Sequence, residues 1–500
     1  MNIIQIYLKR HPIRSRRFLE ILPGSVSWFL IIFPIWGSLV IPGVVAIYII
    51  TYTVYWLYKS LSVAVLAMAA HFRIEAAKRF DWLGDVMVFP DWRRVQHILI
   101  IPTYKEPLGI LKRTLESLVQ QTFSHKRIHV VVSFEQREGD PAREKARALK
   151  SLYGEIFGSF TTTFHPDVPG EVKGKSSNSA WAAREVVEKK LIAKGIVDPD
   201  FTTISSQDSD ARLHPSYLAA LSYQFLDHPD RYNKFWQGAV LFYNNIWRIP
   251  APVRALVTVS GIVHLYLLMR RDRLVNFSTY STSLRLLRSV EYWDVDVVPE
   301  DYRIFFKAYF ATAGKVEVEP IFLPVTIDAA ESTSYWRTLQ NKYEQVKRWA
   351  WGVSDDQYII RNAFLADNIS VWDRILRVVR IVEDHFLWPV NWFAITVGAL
   401  LPPLLNPNFS RTVIGKTLPQ VSSGILTLSL VALLTVIFID ARQRPAQPAS
   451  VGRMRRWLQP LEMAFLPVVG LFLNALPGLD AHTRLMLGKY MEYRVTEKVE

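Results

Sequence analysis

Cysteine is absent from the 500-residue sequence, which excludes disulfide bonds, zinc–thiolate centres and thiol nucleophiles. No P-loop spacing accompanies its lysines, and no A-x-A cleavage site follows its first apolar run. Nucleic-acid-binding motifs, internal repeats and low-complexity tracts are also missing, so no nucleic-acid partner is expected. What the chain has in quantity is apolar surface: 50% of its residues are hydrophobic, 16 are tryptophan, and the net charge is +14. That balance points to a chain lying partly in lipid, with anionic headgroups and a phosphate-bearing substrate as partners for the basic residues.

Residues 1–20 carry Lys9, Arg10, Arg14, Arg16 and Arg17, residues 25–41 (SVSWFLIIFPIWGSLVI) are uncharged, and a second apolar run starts near Val44. Two membrane helices are expected. The connection at 37–43 has no charge, whereas both outer flanks are basic, the second through Lys59, Arg73, Lys78 and Arg79. The positive-inside rule then puts residues 1–20 and everything after 72 in the cytoplasm. Near the other end, residues 386–405 and 425–439 are long enough to span, and the link 440–458 carries Arg442, Arg444, Arg453, Arg455 and Arg456, which places it inside. Residues 461–476, interrupted at Pro467 and ended at Pro477, are expected to be re-entrant or interfacial.

From Trp92 onward the texture is that of a soluble α/β domain. HILIIPTYKEP predicts a buried strand over 98–101 ending in a polar loop, and Leu108, Leu111, Leu115 and Leu118 then recur at helical spacing. RIHVVVSFEQREGD predicts a second strand with acidic residues at its end. Such alternation implies a largely parallel sheet, whose ligands bind outside the carboxyl ends of the strands. The loops holding Tyr104, Glu106 and Glu135 are therefore where a nucleotide is expected, with a helix N-terminal charge as the alternative role for Glu106. Lys173 and Lys175 precede a helical stretch in KGKSSN, which suits phosphate binding but also an ordinary surface lysine.

In TISSQDSDAR, Asp208 and Asp210 are two apart after a strand-like run, and period-two geometry would turn both carboxylates toward one point. A magnesium-type ion needs only one or two carboxylates when substrate phosphates complete its shell. Two other D-x-D strings, Asp198 with Asp200 and Asp294 with Asp296, keep a solvated acidic turn open as the reading. A helix with Pro215 in its first turn is expected next. Trp236 and Phe242 suit core packing or sugar stacking. Glu300 and Asp301 open a helix, as caps or as the carboxylate of a general base. Tyr335, Leu339, Tyr343, Val346, Trp349 and Val353 form an apolar stripe with Arg337, Lys342, Lys347 and Arg348 around it, which predicts a helix at the membrane interface.

Taken in order, PTYKEP, SFEQRE, KGKSSN, QDSDAR, VPED and QVKRW resemble the motifs of membrane-embedded family-2 glycosyltransferases, the cellulose, chitin and hyaluronan synthase group. The resemblance covers residues 92–360 by motif, and its most specific part is Q-x-x-R-W following the E-D pair. It implies an α/β, GT-A type cytosolic catalytic domain flanked by transmembrane helices. It further implies that Thr103, Tyr104, Glu106, Glu135, Lys175 and Asp208 bind the donor, that Asp210 with Asp208 holds a divalent metal (Mg2+ or Mn2+), and that Asp301, beside Glu300, is the general base. Gln345, Arg348 and Trp349 would meet the diphosphate and the acceptor. Glu135 stands where the family usually has Asp, and PED where TED is commoner.

The expected division is a basic segment (1–24), two transmembrane helices (25–72), the GT-A domain (73–332), interfacial helices with QVKRW (333–384), a C-terminal membrane region (385–478) and a charged tail (479–500). The expected protein is a multi-pass plasma-membrane enzyme. It would transfer a sugar with inversion from a nucleotide-sugar, a UDP-sugar by expectation, to a growing glycan as a processive polysaccharide synthase. Membrane lipids and a glycan or lipid-linked acceptor would be its other partners. A transferase adding one or a few sugars, and a catalytically inactive scaffold, are the alternatives.

Overall fold

The computed structural model describes residues 3–448, 452, 458–492 and 496–499. The chain divides into two compact units. One takes Met1–Ala69, Trp247–Tyr266 and Ser334–Met491, and the other takes Ala70–Ile246, Leu267–Thr333 and Glu492–Glu500.

The second unit is built on strands β1 (Gln96–Thr103), β2 (Ile128–Glu135), β3 (Ser159–His165), β4 (Thr202–Ser206), β5 (Arg212–Leu213), β6 (Lys234–Leu241), β7 (Tyr280–Ser283) and β8 (Glu317–Thr326). They form one sheet in the order β3-β2-β1-β4-β7-β6-β8-β5. Strands β3, β2, β1 and β4 are parallel, as the alternation of elements predicts. Beyond β4 the sheet is mixed, because β7 runs antiparallel to both β4 and β6. Apolar run length reports that a strand exists but not its direction, so that reversal has no sequence signature. Strands β1 and β2 are buried almost end to end, as parallel strands covered on both faces should be. The leucine spacing after β1 becomes the helix Leu108–Val119, which buries Ile110, Leu111, Leu115 and Leu118. Trp236 and Phe242 are core residues of this unit. Pro215 lies two residues before the helix Tyr217–Asp227 rather than inside its first turn.

Among the described residues, five helices are long and apolar enough to cross a membrane: Pro12–Val40, Pro42–Ala77, Ala251–Leu268, Val413–Gln443 and Gln459–Met486. The third lies within the segment expected to be catalytic domain. Arg254 and His264 interrupt its apolar run, and Arg254 is buried in a bidentate pair with Glu462, both contacts at 2.6 Å. A charge inside a membrane segment is sustained by such a partner, which a reading of local hydropathy cannot find. Residues 386–405, expected as one span, are instead divided among Asn391–Thr396, Gly398–Leu400 and Leu401–Leu405, with Pro389, Pro402 and Pro403 in the run. Residues 461–476 fall inside Gln459–Met486. Arg453, Arg455 and Arg456 of the basic link lie outside the described residues.

In the first unit, the stripe on Tyr335–Ala350 is in part packed: Val346 is buried, as is Val353 just beyond it, and the helix lies against Leu476–Met486. The exposed apolar face belongs to the next long helix, Val371–Phe386, which presents Val371, Trp372, Ile375, Leu376 and Val379, with Arg374, Arg377 and Arg380 on its remaining surface.

Candidate active site

The carboxyl ends of β1, β2 and β4 and the loops leaving them carry six of the predicted residues, Thr103, Tyr104, Glu106, Glu135, Asp208 and Asp210. Lys105 has φ +64, a left-handed conformation that non-glycine residues rarely adopt, and it turns the chain back after Tyr104. Glu106 braces this turn. Its Oε2 accepts the Thr103 hydroxyl and the Tyr104 N–H, both at 2.6 Å, while Oε1 accepts the Ser209 hydroxyl at 2.9 Å. The loop after β1 is thereby tied to the D-x-D loop after β4. Glu135, buried at the end of β2, pairs with the Arg137 Nε, and the Arg137 guanidinium lies 4.0 Å from the centre of the Tyr104 ring. Glu135 and Arg137 border a pocket shared with His165, Asp167, Glu171 and Lys173.

Of the three D-x-D strings, two have structural work. Asp198 caps a turn by accepting the Asp200 N–H and pairs with Arg94, Asp200 pairs with Arg285, and Asp294 pairs with Lys307. Asp208 and Asp210 differ. They follow β4 in a turn, so strand periodicity does not apply and each carboxylate takes its own cation. Asp208 Oδ1 is 2.7 Å from the Lys175 ammonium, whereas Asp210 Oδ2 is 3.0 Å from that of Lys498 and accepts the Asp328 N–H.

Lys175 opens the helix Lys175–Ala182 and is the hub of the cluster. Its ammonium also lies 2.8 Å from Glu300 Oε1 and donates to the Ser278 carbonyl at 2.6 Å. Glu300 and Asp301 begin the helix Glu300–Ala311, and the Asp301 carboxylate accepts the Tyr302 N–H at 2.9 Å and the Ser278 N–H at 3.1 Å. Burial opposes the charge on Lys175, but Asp208 and Glu300 outweigh it and hold the ammonium well above the usual lysine value. Burial also pushes Asp208 up, yet Lys175 and the Ser278 hydroxyl bring it down to about 2. Glu300 goes the other way, raised by burial to about 7 despite Lys175, and Asp301 is likewise raised by burial. Asp210 rises to about 6, from burial first, with Lys498 pulling it back and Asp328 and Asp208 adding repulsion. Carboxylates driven apart in this way divide into permanent anions and groups able to exchange a proton near neutral pH.

Glu300 has a consequence for stability. Its folded value lies above its ordinary 4.5, so the folded protein keeps a proton that the unfolded chain has released. The resulting stabilisation is complete below pH 4.5 and is lost as pH rises toward about 7. Thermal unfolding across that window should show stability falling with pH, and Glu300→Gln should flatten the fall.

Lys498 escaped sequence reasoning, because a lysine in a charged tail carries no local signal. Besides Asp210, its ammonium lies 3.4 Å from the Ser209 hydroxyl and 4.0 Å from Glu106. Asp210 and Glu106 lift it well above the usual lysine value against the effect of burial.

Gln345, Arg348 and Trp349 belong to the first unit, on Tyr335–Ala350. Buried Lys342 organises this motif, donating to Gln345 Oε1 at 2.8 Å with its ammonium 4.1 Å from the centre of the Trp349 indole. Residues three and seven apart share a helix face, which explains the spacing.

Residues 204–439 match the family model described as glycosyl transferase family group 2, which supports a family-2 glycosyltransferase. No curated protein matches the chain. Among solved structures, the chain is similar to the mannosyltransferase PcManGT from Pyrobaculum calidifontis in complex with GDP-Man and Mn2+, at 12% identity over 76% of this chain and 98% of that one, with a TM-score of 0.43. It is also similar to S. aureus TarS 1-349 in complex with UDP, at 11% identity over 72% and 95% with a TM-score of 0.38. For the same protein in complex with UDP-GlcNAc the values are 13%, 80%, 93% and 0.37. A mixed α/β sheet accompanied by apolar helices is the architecture that the GT-A resemblance implied.

Proposed function

We propose that the protein is a membrane-bound, inverting glycosyltransferase that moves a sugar from a nucleotide-sugar to a growing glycan, in the manner of the processive synthases. The observation that carries the reading is the Lys175 ammonium joined to Asp208 and Glu300, with Asp301 alongside, at the carboxyl ends of parallel strands.

In this reading Asp301 takes the proton from the acceptor hydroxyl as it attacks the anomeric carbon. The base is one carboxylate and no covalent nucleophile is invoked, so the displacement is single and the configuration inverts. The departing diphosphate gains negative charge, which Lys175 meets directly. Tyr104 and Glu135 face the nucleoside, Thr103 and Glu106 hold that loop, and Arg348, Trp349 and Gln345 serve the diphosphate and the acceptor end.

Among the described residues no group of three metal-ligating side chains is assembled. The fit to a divalent ion rests on charge and on donor type. Asp208 and Glu300 pair with a single ammonium and Asp301 adds its charge nearby, so a diphosphate would enter a site already rich in carboxylates, while Asp210 pairs with the Lys498 ammonium. Asp210 and Asp208 would hold Mg2+ or Mn2+ together with substrate phosphates. The ion would supply charge neutralisation at the leaving diphosphate. Lys498 adds a further positive charge. Lys498→Ala is expected to lower turnover by about 10-fold or more, short of the loss of a fixed oxyanion donor, with Lys498→Arg keeping part of it.

A plasma-membrane protein with a cytoplasmic catalytic domain accords with the basic flanks of the first two spans. The apolar face of Val371–Phe386 with its arginines suits a position in the membrane surface. The deciding experiment uses purified, lipid-reconstituted protein with a panel of UDP- and GDP-sugars, with and without Mg2+ or Mn2+, and resolves the product by size. A long polymer from one donor supports the synthase reading and names the sugar. Short or lipid-linked product moves the assignment to a non-processive transferase, and absence of transfer with every donor counts against catalysis.

A further inference from the structure

Ser278 lies two residues before β7, on the chain that returns to the sheet after Ala251–Leu268. It has φ +57, a left-handed conformation in a residue that is not glycine. All three of its polar groups serve the site. The N–H donates to Asp301 Oδ2 at 3.1 Å, the carbonyl accepts from the Lys175 ammonium at 2.6 Å, and the hydroxyl donates to Asp208 Oδ2 at 2.6 Å. The neighbouring Thr279 hydroxyl accepts the Asp208 N–H at 3.0 Å, so Asp208 is held at its backbone and its side chain.

Sheet register explains the placement. Strand β4 pairs antiparallel with β7, with Ser206 opposite Tyr280. Continuing that register two residues beyond the pair sets Asp208 opposite Ser278, so the sheet delivers this serine to the D-x-D loop. In an extended strand the N–H and carbonyl of one residue face the same edge. The left-handed conformation at Ser278 instead directs its N–H to Asp301 and its carbonyl to Lys175.

We propose that Ser278 is a positioning residue of the transfer site, which sets Asp208, Lys175 and Asp301 in register with one another through its hydroxyl and its left-handed backbone. The inference rests on the glycosyltransferase reading, within which Asp208 and Lys175 belong to the donor and Asp301 to the acceptor. The two functions of Ser278 separate by mutation. Ser278→Gly keeps the left-handed backbone and loses the hydroxyl, whereas Ser278→Thr keeps the hydroxyl and places a β-branched residue where such residues are outliers.

The test is steady-state kinetics on reconstituted protein, together with calorimetric binding of UDP or GDP in the presence of Mn2+ and thermal unfolding of each variant. Ser278→Gly should raise the donor KM and weaken nucleotide binding by about 10-fold, the scale of one hydrogen bond to a charged group, with kcat within about twofold. Ser278→Thr should lower kcat by about 10-fold or more, with nucleotide affinity nearly kept, because the backbone contacts to Asp301 and Lys175 shift. Wild-type constants in both variants would overturn the inference. So would a parallel fall in kcat and unfolding temperature with KM unchanged in both, which is the signature of a merely structural serine. If the wild-type protein transfers no sugar from any donor, the glycosyltransferase reading itself fails and the inference falls with it.

Discussion

Asp301→Asn is expected to lower sugar transfer by about 10²–10⁴-fold, the range for a positioned general base, while nucleotide affinity stays near that of the wild type. The substitution is nearly isosteric but not silent. Both carboxylate oxygens of Asp301 accept backbone N–H groups, from Tyr302 and from Ser278, and an asparagine has only one acceptor oxygen for the two. A modest loss of thermal stability should therefore accompany the loss of turnover. Measuring nucleoside diphosphate release, glycan product and unfolding temperature on the same preparation separates the two effects. Turnover that survives in a well-folded Asp301→Asn protein would remove this residue from the role of base.

Replacing Lys175 should have the second large effect, and it should act on stability as well as on rate. Lys175→Met leaves Asp208 and Glu300 beside each other without the ammonium that links them. Breaking a buried pair by removing one partner costs about 3–5 kcal/mol, because the remaining charge is uncompensated. Glu300 can relieve part of that by holding its proton, since burial already raises it to about 7. The double variant Lys175→Met with Glu300→Gln should accordingly recover some of the lost unfolding temperature. It should not recover transfer, because the positive charge facing the departing diphosphate is still missing. A cycle of the two single variants and the double one measures the coupling directly. Full stability in Lys175→Met alone would contradict the buried-pair account.

Several parts of this arrangement are legible in the linear sequence for plain reasons. Strands β1 and β2 are continuous apolar runs that end in polar loops, and the helix after β1 repeats leucine with helical period. Pattern, composition and turn chemistry act over a few residues, so these elements and the loops at their ends follow from local rules. Candidate site residues on those loops follow in turn, because a parallel sheet binds ligands at its carboxyl edge. The choice among the three D-x-D strings does not follow, since each has the same local chemistry. It is made by the partners: Arg94 and Arg285 occupy the first string, Lys307 takes Asp294, and Lys175 and Lys498 meet Asp208 and Asp210.

By itself, then, the sequence determined the strand and helix segments of the α/β domain, most of the apolar spans and the short list of chemically competent loops, all of which depend on side-chain type and spacing. Tertiary structure decided the direction of β7, the pairing of Arg254 in Ala251–Leu268 with Glu462, and the placement of Ser278 and Lys498 beside Asp208 and Asp210. Each of these depends on a residue far away in the chain: Glu462 makes Arg254 tolerable, the β4 register brings Ser278 to Asp208, and Lys498 reaches Asp210 from the tail. Electrostatic pairing and strand register are long-range in sequence and short-range in space, so they exist only once the chain has folded.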